Sequence, residues 1–493
     1  MALKTGETSA PNLARPADRE RNDTAKAGLR VCVVVMGDLG RSPRMLNHAL
    51  ELATAGAEVD LVGYAGRELP SCIRDHDRIR CHRLKDSDPH WRHKLPQFLF
   101  LLVASWRLAA LATRLLWRLL WRIERPQYLL VQTPPALPAL IVVWVASRLR
   151  RATFVIDWHN FGYTVLASRL GNDHWLVRAA CRLEVFLARR GDMHFCVSEA
   201  MRQALCDEWG LAATYRLYDL PRVIHDRPGP EERHSILSRI SAQRVRVTGG
   251  TNVEWSVAPE AGGVPDTENA ASEAVYSKEG RRFGSSEVAL AVSSTSWSDD
   301  EDFGLLLQAL PLVDGLFVEQ ARTQGHATSL RLEMLVTGDG PRRSEFETSA
   351  RALSLVTIRI ATAWLSAEDY TRLLTAADVG ICLHRSTSGM DLPMKLSDML
   401  GAGLPVCALD YGGALHERLS EGNNAVLFHS PKSLAEKIYQ VLGNFPDRPE
   451  KLRTLSRHIR LNPLPTWREE WNHVAYPLFF QRETMLLPDH EGR

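Results

Sequence analysis

One run, LRVCVVVMGD at residues 29–38, limits the folds open to this chain more than any other feature. It is apolar and β-branched without polar alternation, as a strand needs when both of its faces are covered. RMLNHALELATAGA follows with apolar residues at helical spacing, and EVDLVGY is the next strand. Strand, helix and strand joined by short connections imply a parallel sheet. The pattern recurs through YLLVQTP, ATFVIDWHN and MHFCVSEAMRQAL, where Ser198 reads as a helix N-cap.

The pattern breaks at 226–286, a stretch rich in Gly, Ser, Glu and Pro with no period, which reads as a flexible insertion. It restarts with EVALAVSS, RLEMLVTGDG and DYTRLLTAADVGICLH. The expected organisation is a disordered tail over 1–28, one α/β half over 29–225, the insertion, and a second α/β half over 287–465. A last segment, 466–493, is expected to pack back on the first half. The chain's 493 residues are too many for one core. Its net charge of +2 gives no reason to expect nucleic acid as a partner. The eight cysteines form no C-x-x-C pair, and several lie in strand-like runs, as buried thiols in a reducing compartment would. The polar N-terminus reads as neither a signal peptide nor a span.

Open parallel sheets bind ligands beyond the carboxyl ends of their strands. In the second half those ends hold Ser294, Thr295 and Ser296, then Gly338 and Gly340, then His384, Ser388, Gly389, Asp391, Lys395 and Asp398. Hydroxyls and amides ahead of a helix suit an anion, and the glycines allow close backbone approach. In SGMDLPMKLSDMLGAGLPV, Pro393 fits a first helical turn, and Lys395 and Asp398 share one helix face. Lys395 and the helix amides would hold a diphosphate, and Asp398 a ribose. The bland alternative is that Asp391 is an N-cap and Lys395 and Asp398 an exposed pair. The acids DDED at 299–302 read as solvated charge at a helix start.

In the first half, GDLGRSPR has neither the dinucleotide spacing nor a P-loop lysine. Asp38 sits where a strand gives way to a helix, a good place for a general base. Asp157 and His159 stand at another strand end, and His159 is the alternative base or a sugar-positioning group. Gly40, Arg41, Asp157 and Asn160 are the residues expected to meet an acceptor. No metal motif and no serine nucleophile elbow is present.

The segments VVVMGDLGRSPRMLNHAL, QTPPALP, FVIDWHNFGY, SSTSWSDDEDF, TGDGP, TAWLSAEDY and HRSTSGMDLPMKLSDMLGAGLPVCA occur in one order. Through them the chain resembles the β-mannosyltransferases that add the first mannose to chitobiosyl-diphosphodolichol in N-glycan assembly. The resemblance implies a GT-B fold, two Rossmann-like domains facing across a cleft. It implies GDP-mannose as donor, no tightly bound cofactor, and inversion to a β-1,4 linkage at the cytosolic face of the endoplasmic reticulum. A divalent metal is not required, and magnesium is compatible. The implied partners are the dolichol-linked chitobiosyl diphosphate, the membrane surface, and other glycosyltransferases of the same pathway. Many GT-B enzymes carry glutamate where this chain has Asp398, and members of this family usually begin with a membrane span, which the N-terminus here does not resemble. A GT-B enzyme with another nucleotide sugar, and a non-catalytic GT-B-like partner subunit, are the competing readings.

Residues 95–125 combine a leucine-rich surface with Arg107, Arg114, Arg118, Arg122 and Arg125 in one helical stripe. With Trp106, Trp117 and Trp121 at an interface, the segment is expected to lie in the membrane plane. Its alternative is a helix packed on the first domain. A second apolar patch, at 137–149, is too short to span.

Overall fold

The computed structural model describes residues 28–84, 97–242, 246–250, 288–297, 301–445, 447 and 449–481. The first half runs β1 (Arg30–Asp38), α1 (Pro43–Thr54), β2 (Glu58–Tyr64), α2 (Ser71–Arg74), β3 (Ile79–Leu84), α3 (Gln97–Trp117) and β4 (Tyr128–Thr133). It continues with α4 (Ala139–Arg150), β5 (Thr153–Trp158), α5 (Gly162–Leu170), α6 (Trp175–Ala188), β6 (Met193–Cys196), α7 (Glu199–Gln203) and β7 (Thr214–Arg216). These strands form one parallel sheet in the order β3-β2-β1-β4-β5-β6-β7. Alternation along β1 divides its side chains between two cores. Val31, Val33 and Val35 pack with Met45 and Ala49 of α1, and Cys32, Val34 and Met36 pack with Val142 and Val143 of α4. That division is why the run reads as uniformly apolar.

The second half contains α8 (Pro230–Ala242), β8 (Arg246–Gly250), β9 (Ala289–Thr295), α9 (Phe303–Thr323), β10 (Leu332–Gly338), α10 (Arg343–Arg351), β11 (Ile358–Ala363), α11 (Ala367–Ala376) and β12 (Val379–Cys382). After these come α12 (Met394–Gly401), β13 (Val406–Leu409), β14 (Ala425–Phe428), α13 (Pro431–Leu442), α14 (Glu450–Leu461) and α15 (Trp467–Phe480). The sheet order is β14-β13-β12-β9-β10-β11-β8, parallel except for β8, which runs antiparallel to β11. The expected two Rossmann-like parallel-sheet domains are therefore present. The reading of 226–286 as one irregular insertion needs correction at its start: α8 packs on α11, and β8 closes the sheet edge. Residues 251–287, the tail over 1–27 and the end of the chain from 482 lie outside the described residues.

The chain crosses between the halves twice. Helix α15 returns to the first half, where Trp467, Trp471, Ala475 and Phe479, four residues apart, enter its core. Thr466 and Glu469 form a capping box at its start, and Trp471 Nε1 donates to His48 Nδ1 at 3.1 Å.

Helix α3 corrects the expectation that its leucines meet lipid. Leu115 and Leu119 are fully buried, and with Ile123 they join the core shared with α4. What faces outward is Trp106, Trp117 and Trp121, the first and last more than two-thirds exposed, beside Arg114 and Arg122. The helix loosens into a π turn over Arg118–Arg122. Among the described residues one helix, α9, is long and apolar enough to cross a membrane. Its inner side, including Leu306, Leu310, Val313 and Phe317, is built into the second domain's core.

In each sheet the strand order reverses at one point, between β1 and β4 and between β9 and β12. Ligand crevices form at such reversals, so the loops after these four strands frame the site.

Candidate active site

The loops after β9 and β12 meet in a bridge between Glu301 and His384. Glu301 is buried, not solvated as its place in the acid run suggested. It accepts from the Thr295 hydroxyl and, at 3.1 Å, from the Ser296 amide, and it pairs with the ammonium of Lys395 at the start of α12. Lys395 thus pairs across the loops with Glu301 and not along its helix with Asp398. The Lys395 side chain keeps about a quarter of its surface open, and its geometry is set by a carboxylate that is itself fixed.

Several expected donor contacts have structural tasks instead. A Cβ on Gly338 would collide with the Thr295 carbonyl, and one on Gly340 with the Ser296 carbonyl. These glycines let the loop after β10 press on the loop after β9. Ser294 is nearly buried and shares a 2.9 Å hydrogen bond with the Tyr370 hydroxyl. Thr295 is occupied between Glu301 and the Trp297 amide, which donates to its hydroxyl at 2.7 Å. Asp391 is buried and accepts from Ser386, from Ser388 at 3.3 Å, and pairs with His384 Nε2 at 3.0 Å. It ties the 384–391 loop together and does not cap α12, whose N-cap is Pro393. Gly389 takes a positive φ of 72° in that loop.

Asp398 is open to solvent on α12, next to Ser397, whose hydroxyl donates to the Asp219 carbonyl of the first half. Crowding by protein pushes its carboxyl up to about 6, and the nearby charge of Asp219 adds to the shift. The Tyr370 hydroxyl approaches it at 3.5 Å.

On the facing rim, Asp38 ends β1. Its carboxylate accepts from the Gly40 amide at 3.0 Å and from the Arg67 amide at 3.0 and 3.1 Å. Gly40 allows this close approach, because a Cβ there would strike Arg67. Arg41 lies 3.7 Å from Asp38 and 4.0 Å from Asp339 across the cleft. The Arg67 guanidinium sits 4.1 Å over the Trp364 ring, also across the cleft.

Asp157 cannot meet an acceptor, contrary to the sequence expectation: it is fully buried. It holds Arg44 with two hydrogen bonds of 2.7 and 2.9 Å, and Arg44 also reaches Asp219 at 2.8 Å. Burial opposes the charge on Asp157, but Arg44, His159 and His48 outweigh it and hold the carboxyl well below its usual range. Burial lowers the pKa of His48. His159, partly exposed at the cleft, has Nε2 3.4 Å from Asp157 Oδ2 and Nδ1 3.5 Å from the Gln132 amide nitrogen. Asn160 donates to Thr387 across the cleft at 3.0 Å. Neither Arg44, at the end of GDLGRSPR after β1, nor Glu301, in the acid run after β9, was singled out in the sequence, because nothing local shows that either is buried.

Further out, Glu417 accepts from the Glu199 and Ala200 amides at the start of α7, at 2.7 and 2.8 Å, and from Tyr218 at 2.8 Å. These contacts hold the halves together on the far side of the cleft. Among the described residues, no three His, Cys, Asp or Glu side chains gather as a metal site would need.

Two parallel-sheet domains with a charged cleft between their strand ends define a GT-B glycosyltransferase. Residues 17–217 match the family described as a glycosyl transferase 4-like domain, and residues 286–444 match glycosyl transferases group 1. The fold superposes on Anabaena HepE, solved with UDP and glucose, with a TM-score of 0.54 at 14% identity, covering 92% of this chain and 98% of that one. It superposes on the trehalose-6-phosphate synthase OtsA with a TM-score of 0.54 at 12% identity, covering 94% and 100%.

The chain is 36% identical over 458 residues to the mouse chitobiosyldiphosphodolichol beta-mannosyltransferase, covering 92% of this chain and 90% of that protein. It is 34% identical over 453 residues to the human one, covering 92% and 93%. It is also 36% identical over 467 residues to an Arabidopsis thaliana protein named UDP-glycosyltransferase TURAN, covering 92% and 97%. The chain belongs to the chitobiosyldiphosphodolichol beta-mannosyltransferase family.

Proposed function

We propose that this glycosyltransferase moves mannose from GDP-mannose to a chitobiosyl diphosphate on dolichol, forming a β-1,4 linkage at the cytosolic face of the endoplasmic reticulum. The observation that carries the reading is the pair of fixed groups on opposite rims: Lys395 braced by Glu301, and His159 braced by Asp157. Lys395 and the first amides of α12 bind the donor diphosphate and stabilise the charge that develops on it as it leaves. Asp398 accepts from the ribose hydroxyls. The acceptor hydroxyl attacks the anomeric carbon on the face opposite the leaving diphosphate, which inverts the configuration. Its proton passes to the imidazole of His159, and the buried charge of Asp157 stabilises the imidazolium. His159 is preferred over Asp38 because backbone amides hold the Asp38 carboxylate at 3.0–3.1 Å, whereas the contacts of His159 to Asp157 and Gln132 are long, at 3.4 and 3.5 Å. Asp38 instead shapes the rim on which Arg41 and Asn160 meet the acceptor.

Incubation with labelled GDP-mannose and a chitobiosyl-diphosphate lipid tests the proposal, and a β-linked trisaccharide is the expected product. An α-linked product would overturn it. The name of the Arabidopsis relative favours a second reading, a UDP-sugar donor, and faster turnover with a UDP-sugar would establish that reading instead.

A further inference from the structure

The outward side of α6 has a pattern that the glycosyl-transfer chemistry does not use. Trp175, Ala179, Arg182, Phe186 and Arg189 lie at i, i+4, i+7, i+11 and i+14 and form one exposed stripe. Trp175 is 65% exposed, more than most tryptophans in a soluble domain leave open. The turn from α5 into α6 adds Leu170 and Leu176, both also exposed. Residues 162–190 carry five arginines and two acids, and one of the acids, Glu184, is buried. The exposed charge of the hairpin is therefore strongly positive and interleaved with aromatic rings.

This surface continues into its neighbours. Arg190 lays its guanidinium 3.4 Å over the Phe186 ring and 5.2 Å from the ring of Trp144 on α4. Helices α3, α4 and α6 cover the same face of the first sheet and share one core. Beyond α4, with exposed Ile141 and Leu149, lie the outward tryptophans and arginines of α3. At its other end α5 begins at the cleft, where Thr164 Oγ1 lies 3.1 Å from Thr387 Oγ1.

We propose that the α5–α6 hairpin is a lipid-contacting element, seated with Trp175, Leu176 and Phe186 in the head-group boundary of an anionic bilayer. Exposed aromatic rings with arginines between them match the interfacial layer of a membrane: rings at the carbonyl level, guanidinium groups on phosphates. Aromatic rings and arginines are also enriched where proteins meet, but five arginines against one exposed acid on this hairpin favour the phosphates of an anionic bilayer. The nine residues of α5 span roughly 14 Å at 1.5 Å per residue. One end of α5 is at the cleft and the other at the lipid, so its length sets how far a membrane-tethered acceptor must reach upward. The proposal rests on the reading that the acceptor is lipid-linked.

The test uses the full chain and its Trp175→Glu/Phe186→Glu variant. Both positions are exposed, so an unchanged melting temperature is expected. Flotation with phosphatidylcholine–phosphatidylserine vesicles should show partitioning reduced by about tenfold or more. Arg178→Glu/Arg182→Glu should lose binding to these vesicles and change little on phosphatidylcholine alone. Turnover of a short-chain, water-soluble acceptor should stay at the wild-type level in both variants, while turnover of the vesicle-borne acceptor falls. Wild-type partitioning by both variants would overturn the proposal. A wild-type protein that transfers no mannose to the soluble acceptor would instead defeat the functional reading, and leave the flotation result to decide the membrane contact separately.

Discussion

Lys395 and Glu301 are 94 residues apart in sequence and form a direct ion pair at the mouth of the cleft. The acid is buried and the base is partly open, so the pair presents a positive charge whose direction is fixed from behind. Lys395→Ala should weaken GDP binding by about 10- to 100-fold, the scale of one charged hydrogen bond. Glu301→Gln should weaken it by less, because the ammonium remains but is free to wander. Titration calorimetry with GDP measures both, and equal affinity in wild type and Lys395→Ala would remove the lysine from the site.

His159→Ala should lower kcat by about 10²- to 10⁴-fold and leave GDP affinity unchanged, as loss of a group acting on the moving proton does. Asp38→Asn should retain most of the turnover, since an amide oxygen can still accept from the Gly40 and Arg67 amides. A deeper loss of kcat in Asp38→Asn than in His159→Ala would reverse the assignment of the base.

Asp398 gives donor binding a pH dependence. Its pKa in the folded protein is raised to about 6, so its carboxylate is protonated as the pH falls through that value and loses its full strength as an acceptor. GDP affinity should fall as pH drops from 7 to 5. Asp398→Asn should abolish the dependence while binding more weakly throughout. A variant that keeps the wild-type pH profile would place the titrating group elsewhere.

Glu184 does the same for stability. It accepts from the Gly162 and Tyr163 amides at the start of α5, yet burial pushes it up from 4.5 to about 7. The folded state therefore holds its proton more tightly than the unfolded state. Stability should be highest below about 4.5 on this account and should decline by on the order of 3 kcal/mol as pH rises through about 7. Glu184→Gln should flatten that slope in urea denaturation series, and an unchanged slope would show that the carboxyl does not titrate where proposed.

Arg44→Met should cost about 3–5 kcal/mol, because it leaves Asp157 and Asp219 without their shared cation. Chemical denaturation measures this directly, and a loss under about 1 kcal/mol would mean that the network relaxes onto water.

The sheets were legible because strands covered on both faces must be largely apolar, as β1 is without a break from Val31 to Met36. The place of the site was legible for a related reason, since SGMDLPMK follows a strand end at a reversal of sheet order. The partners within it were not. Glu301 looks in sequence like any acid ahead of a helix, and its burial depends on Lys395, far along the chain. Arg44 sits in an amphipathic helix where a solvated arginine would be unremarkable, and Asp157, which accounts for its burial, is on another strand. Leu115 and Leu119 showed an apolar side to α3, but periodicity alone does not say whether lipid or protein covers it. The structure puts protein there.

Helix α15 has a consequence for how the molecule is made. Trp467, Trp471 and Phe479 help to build a core whose other walls begin at Val31. Roughly 260 residues separate Leu217 from Phe479, and at about 5–20 residues per second the ribosome needs about 10–50 s to deliver them. Until then the first domain waits with Arg44 and His48 uncovered by the tryptophans that later enclose them. The second domain can close on itself in the meantime. During synthesis the half that starts first finishes last, and it is this unfinished half that a chaperone would be expected to hold.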